Sequence, residues 1–184
     1  MDVGGTLWWW SRLRPMGAKL TIVNLDDRHK SLIELAGYTF VAADGRRLPF
    51  SDKEFDLVFS NSVIEHVGDR DSQMRFANEM LRVGKSIYCQ TPNRWFPIEP
   101  HLIALFLHWL PFTLARRLVR YGSIWGLVTR PSQEQIDDLL SSIRLLSLRE
   151  VRRLFGGCTV RAERIFGLAK SFVVERRVAL MEKP

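Results

Sequence analysis

Apolar residues along this chain fall into short unbroken runs that alternate with stretches of helical spacing. KLTIVNL (19–25) is rich in β-branched residues and bounded by charge, which predicts a strand. DRHKSLIELAG (27–37) brings Leu32, Ile33 and Leu35 to one side, with Asp27 as a cap and Gly37 as a stop, and predicts a helix. YTFVAA (38–43) and EFDLVFSN (54–61) predict two further strands. The second alternates little, as a strand covered on both faces does. SQMRFANEMLRV (72–83) spaces Met74, Phe76, Ala77, Met80 and Leu81 as a helix. SIYCQT (86–91) predicts a strand that Pro92 ends.

Strand and helix thus alternate with a repeat of about 20 residues, the mark of an α/β chain with a doubly wound, mostly parallel sheet. In such a sheet the loops after Val3, Leu25, Ala43, Ser60 and Thr91 share one rim, where ligands bind. Residues 100–146 break the alternation; they read as mostly helical, punctuated by Pro111, Gly122, Gly126 and Pro131. A helical cap inserted in a single domain (1–184) is expected there. SLREVRRLF (147–155) opens on a capping box, Ser147 with Glu150, and predicts a helix stopped by Gly156 and Gly157. CTVRAERI (158–165) and SFVVERRVALME (171–182) alternate apolar and polar across the short loop FGLAK. They predict a C-terminal hairpin that adds an antiparallel strand at one end of the sheet.

Composition narrows the class. With 184 residues, 46% hydrophobic and 26% charged, the chain can bury a core, which excludes disorder. Cys89 and Cys158 each lie in a strand-like run and read as buried small hydrophobes. No CxxC or HExxH occurs, so no metal site is expected from the motifs. The start lacks the basic-then-apolar pattern of a secretion signal, and a cytoplasmic location is expected. The net charge of +7 favours anionic partners. From His101 to Arg130 there is no acidic residue but Arg116, Arg117, Arg120 and Arg130 stand among Leu, Phe and Trp. His101, His108 and Pro111 break this run short of the ~20 apolar residues a bilayer needs. It suits a cover over an apolar acceptor, or contact with an anionic membrane surface as a peripheral protein.

Candidate chemistry sits at the strand ends. DVGGT puts two glycines where a strand becomes a helix, which frees the backbone for a ligand. It lacks GxGxxG spacing, which argues against a nicotinamide cofactor. NLDD offers Asn24 and Asp26 to ribose hydroxyls, and AADGRRLPF offers Asp44 and Gly45 to an adenine.

The series DVGGT, NLDD, ADGRRLPFSDKEFDLVFSNSVIEHV and LRVGKSIYCQTPNRWFP resembles the class I S-adenosylmethionine-dependent methyltransferases, most of all the small-molecule group that includes quinone-biosynthesis enzymes. The resemblance covers about residues 1–99, and the last helix and hairpin agree with it. It implies a Rossmann-like methyltransferase fold, S-adenosyl-L-methionine as cofactor, and a small-molecule acceptor. By resemblance Asp2, Gly4 and Gly5 lie against the methionine part of the cofactor, and Asn24 stands where an acidic ribose ligand is usual, with Asp26 as a substitute. Asp44, with Gly45 and Leu48 nearby, meets the adenine; Ser60, Asn61 and Ser62 form a lip under the sulfonium. His66 matches a histidine common after that lip, and His66 and His101 are the candidate catalytic bases. The chain departs from the family in its glycine run, in Asn24, and in carrying only about three residues of the expected first strand, so that a domain trimmed at its front is expected.

Trp8, Trp9 and Trp10 point about 100° apart on a helix, so two packed rings and one half-exposed ring are expected. The alternative is a ring beside the cofactor's cation, or against an oligomer partner. Three functions compete: methyl transfer to a small, apolar or lipid-like acceptor; a degenerate, non-catalytic scaffold; and action on nucleic acid. TPNRW is unlike the NPPY-type sequence of base-amino methylases, and the arginines lie among apolar residues, so no nucleic-acid partner is expected.

Overall fold

A computed structural model describes residues 1–13 and 17–177. Among these residues nine strands and seven α-helices follow in the order β1 (Asp2–Val3), α1 (Leu7–Leu13), β2 (Thr21–Asn24), α2 (Lys30–Leu35), β3 (Thr39–Ala42), β4 (Phe55–Asn61), α3 (Arg70–Val83), β5 (Gly84–Pro92), β6 (Ile98–Glu99), β7 (Ala104–Leu105), α4 (Phe112–Gly122), α5 (Ile124–Thr129), α6 (Gln133–Ser142), α7 (Leu148–Leu154), β8 (Thr159–Ile165) and β9 (Leu168–Arg176). Seven strands form one sheet in the order β3-β2-β1-β4-β5-β9-β8. β1 to β5 run parallel, and β9 runs antiparallel between β5 and β8. The hairpin predicted at the C-terminus is therefore present; β9 begins at Leu168, and positions 178–182 of the predicted strand lie outside the described residues.

Helices cover both faces. α3 starts where the Asp69 carboxylate accepts from Ser72 N at 2.8 Å, and its inner side buries Phe76, Ala77, Met80 and Val83. These pack with Val58, Ile87 and Val174 of the sheet and with Val151 and Phe155 of the α7 segment. On the other face Ile22, Ile33 and Phe40 pack with Leu7 and Trp10. Of the apolar trio predicted for α2, only Ile33 is buried; Leu32 and Leu35 are 55% and 86% exposed. Positions 32 and 35 lie roughly 100° and 200° around the helix from 33, so a helix of six residues presents one of them inward.

β1 is short but fully paired. Asp2 and Val3 register with Ile22 and Val23 on one side, and Asp2 with Phe59 on the other. The Met1 ammonium donates to Leu57 O at 2.8 Å, and Gly4 N donates to Val23 O at 2.7 Å, which lengthens the ladder at both ends. In the 100–146 region the short hairpin β6–β7 precedes α4, α5 and α6. Strands of two residues leave no periodic trace, so this hairpin was not legible in the pattern. Leu102, Ala104, Leu107, Val119 and Ile136 form a separate apolar cluster there. Among the described residues no helix is long and apolar enough to cross a membrane.

Candidate active site

β1 lies between β2 and β4, where the strand order reverses, and the five parallel strands end on one rim. A cleft of about 420 Å3 opens at this point. Its floor is Val3, Val23 and Phe76; Gly4, Asn24, Asp44, Gly45, Ser62 and His66 stand around it. The loops after β1, β2, β3 and β4 thus converge, as strand alternation predicted.

The predicted residues divide by place. Gly4 has φ +77° and turns the chain out of β1. Asp2 is buried beneath the turn, where its Oδ2 accepts from Trp10 Nε1 at 2.6 Å. A β-carbon on Gly5 would fall 1.9 Å from the same oxygen, so the glycine is what lets the carboxylate sit there. Burial pushes the Asp2 carboxyl up to about 6 against the pull of the Trp10 hydrogen bond. Asn24 ties two loops together: its Nδ2 donates to Gly5 O at 3.2 Å, and its Oδ1 accepts from Asp26 N. Asp26 itself is outside the cleft lining and pairs with Arg28. Asp44 receives Arg46 Nε at 3.0 and 2.9 Å and a guanidinium nitrogen at 2.6 Å, and this hydrogen bonding holds its carboxyl below the usual range. Leu48 is buried and its N–H donates to Glu79. Ser60 is buried with Oγ donating to Val3 O at 3.0 Å, which fastens β4 to the end of β1.

Asn61 faces a second, larger cavity of about 810 Å3, lined with Phe59, Tyr88, Phe96, Pro97, Ile98 and the β8–β9 turn. Ser62 borders both cavities. It has φ +55°, and its N–H and Oγ are held by Gln90 O and Oε1 at 3.0 and 2.9 Å. Of the three tryptophans, Trp10 packs on Phe59 with centroids 5.7 Å apart, whereas Trp8 and Trp9 are 56% and 48% exposed. One ring rather than two is packed, because α1 turns a single face to the sheet.

His66 and His101 meet across 35 positions of sequence. Their Nε2 atoms are 3.0 Å apart, and His101 Nδ1 lies 2.5 Å from Glu99 Oε1. The Glu99 hydrogen bond holds the His101 pKa above its ordinary value; burial, then the neighbouring His101, lowers that of His66. Glu65 is fully buried behind them, its Oε2 accepting from Thr91 Oγ1 at 3.0 Å, and burial raises its carboxyl to about 7. The turn that carries Glu65 and His66 is held rigid: Gln73 Nε2 donates to Ile64 O and Arg144 O, and Arg144 N donates to Glu65 O at 2.7 Å. Glu65 and Glu99 escaped the reading of the strand ends. Their one sequence signal is an acid close before a histidine, EH at 65–66 and EPH at 99–101.

A parallel sheet of this order with one antiparallel strand near its edge, and a cleft at the reversal point, define a Rossmann-like methyltransferase fold. A family model described as a methyltransferase domain matches residues 2–88. Residues 2–88 thus resemble a methyltransferase domain, and the chain as a whole has the fold of S-adenosylmethionine-dependent methyltransferases. It is 26% identical over 145 residues to a malonyl-[acyl-carrier protein] O-methyltransferase of Pseudescherichia vulneris, covering 72% of this chain and 56% of that one. It is 43% identical over 51 residues to an uncharacterised protein of Mycobacterium tuberculosis, covering 28% and 17%. A solved SAM-dependent methyltransferase of Thermotoga maritima superposes with TM-score 0.57 at 16% identity, over 95% of this chain and 79% of that chain. The chain thus spans about half, or less, of the curated relatives it matches.

The donor set suits the cofactor of that class. An apolar floor, a glycine turn that exposes backbone, an amide and a carboxylate at adjacent strand ends match a nucleoside joined to an amino-acid tail. Arg46 engages both Asp44 oxygens through its backbone N–H and its guanidinium, four contacts in all, so an exocyclic amine would replace one of these donors.

Proposed function

We propose that this chain transfers a methyl group from S-adenosylmethionine to a small, apolar or lipid-like acceptor. The observation that carries the reading is the meeting of two cavities at Ser62: a polar-walled cleft and a larger one lined with aromatic and proline side chains. S-adenosylmethionine, when bound, supplies an electrophilic methyl on a sulfonium. The residues around it would hold and orient: Gly4, Asn24 and Asp44 the cofactor, and Phe59, Tyr88 and Phe96 the acceptor. Alignment of this kind lowers a barrier by up to about 7–11 kcal/mol. His66 lines the cofactor cleft and would serve as the base for an acceptor hydroxyl that reaches past Ser62, with Glu99 orienting its partner His101.

Calorimetric titration with S-adenosylmethionine tests the reading. Binding to the native chain is expected, and Asp44→Ala should raise Kd about 10- to 100-fold, the worth of one hydrogen bond to a charged group. No heat from the native chain would favour the non-catalytic scaffold instead.

The outer side of α4 and α5 supports a place at an anionic lipid surface. Leu114, Leu118 and Tyr121 follow helical spacing and are exposed, as are Ile124, Leu127 and Val128; Ala115 and Val119 face inward. Arg117 and Arg130 are exposed beside them with no ion pair among the described residues. Aliphatic and aromatic side chains beside free guanidinium groups match phospholipid with anionic headgroups. Pelleting with vesicles of phosphatidylcholine and phosphatidylglycerol is expected, weaker at high salt, and lost in L118E/L127E. A native chain that stays in solution with such vesicles would remove the membrane from this reading.

A further inference from the structure

We propose that Glu65, His66 and His101 form a binding site for a divalent cation of the zinc type at the edge of the cofactor cleft. Three independent features of the cluster point to it. First, one ligand atom from each residue lies within 4.8 Å of the others. The two Nε2 atoms face each other at 3.0 Å, close to the roughly 3.3 Å that two nitrogens span on a tetrahedral zinc. Two imidazole nitrogens set head to head need something between them. It is a shared proton or a metal ion, and a metal ion displaces the proton to solvent.

Second, Glu65 is fully buried and its Oε1 has no hydrogen-bond partner among the described residues. A buried carboxylate oxygen left unpaired costs stability, and a cation beside it offsets that cost. Oε2 accepts from Thr91, and a carboxylate oxygen of Glu65 lies within 4.8 Å of the histidine nitrogens, so the unpartnered Oε1 is the oxygen left to a cation. Third, the surroundings already orient the ligands. Glu99 Oε1 engages His101 Nδ1, the carboxylate–histidine arrangement that fixes a ring for a metal at the other nitrogen. Glu99 Oε2 accepts from Leu102 N at 2.6 Å, so this orienting acid is anchored too.

Two imidazoles and one carboxylate suit zinc and similar transition ions; magnesium and calcium prefer oxygen alone. His66 is solvent-exposed on the cleft side, so three protein ligands leave a position for water or an acceptor oxygen. No metal-binding sequence motif spans 65–66 and 101; the short hairpin β6–β7 brings His101 across. The inference deepens the methyltransferase reading by placing a cation at its cleft, where it would take over the role given to His66 as a base. Its test reads metal binding without cofactor, so either reading can fail while the other stands.

The test is calorimetric titration of Zn2+ into the chelator-treated chain carrying Cys158→Ser, which removes the partly exposed thiol. Binding of one ion per chain is expected. His66→Ala and His101→Ala should each weaken it more than 10-fold, and Glu99→Gln about 10-fold. Co2+ should give the visible absorption of a tetrahedral nitrogen–oxygen site, and circular dichroism should show each variant folded. Three results overturn the proposal: no saturable binding, binding unchanged in both folded histidine variants, or binding of Mg2+ but not Zn2+.

Discussion

Gly4→Ala is expected to weaken S-adenosylmethionine binding about 100-fold and to cost the fold roughly 2–4 kcal/mol. Two effects add. Gly4 has φ +77°, a left-handed conformation that costs an alanine roughly 1–2 kcal/mol. Its new β-carbon would also stand 2.5 Å from Val63 Cγ2 and 2.7 Å from Cγ1, and something must move. Val63 and Gly4 both line the cleft, so the relief of that contact deforms the wall that receives the cofactor. Urea unfolding and calorimetry measure the two losses. A second substitution separates them: V63A removes the two contacts under 3.0 Å, keeps Val63 Cβ at 3.1 Å, and leaves the backbone strain. The pair G4A/V63A should therefore recover part of the affinity while staying less stable than the native chain. If Gly4→Ala binds the cofactor as the native chain does, the glycine turn is not part of its wall.

The same turn shows what could be read from the residues. A strand end is a local signal, and Gly4, Asn24 and Asp44 were each found from one, whereas Ser62 came from the family resemblance. They reach a common cleft because parallel strands end together, which alternation of strand and helix already implies. What could not be read depends on contacts distant in sequence. His66 meets His101 only because a hairpin of two-residue strands folds back over the rim, and such strands have no period. The β8–β9 turn reaches the larger cavity because β9 pairs antiparallel with β5 in a register from Ile87 with Arg176 to Pro92 with Ser171. The tryptophan run misled for a related reason. Its hydrophobicity pointed inward twice, but Asp2 offers one hydrogen bond and the sheet one face, and Trp10 takes both.

Asp2→Asn should make the protein more stable at neutral pH and weaken its hold on the cofactor. In the folded chain burial raises the Asp2 pKa from its ordinary 3.8 to about 6, although Trp10 Nε1 and the Met1 ammonium both favour the charged form. Below 3.8 the folded and unfolded chains both carry the proton, and the contribution of the neutral carboxyl is complete. Between 3.8 and about 6 the folded chain keeps a proton that the unfolded chain has lost, so stability falls as pH rises. Above that window the cost is constant, on the order of 3 kcal/mol. Asparagine avoids it and keeps an oxygen for Trp10, so Asp2→Asn should gain about 1–3 kcal/mol at neutral pH and flatten the slope across the window. Chemical unfolding at a series of pH values checks both; a less stable variant with an unchanged slope would mean that the Met1 ammonium outweighs burial. The carboxylate has a use that fits its cost. It is fixed beneath Gly5 at the base of the glycine turn, where an anion would attract a sulfonium or an ammonium in the cleft above. A gain in stability together with a rise in Kd for S-adenosylmethionine is therefore the expected pair of results. The same charge that destabilises the empty fold would then be the one that attracts its cationic ligand.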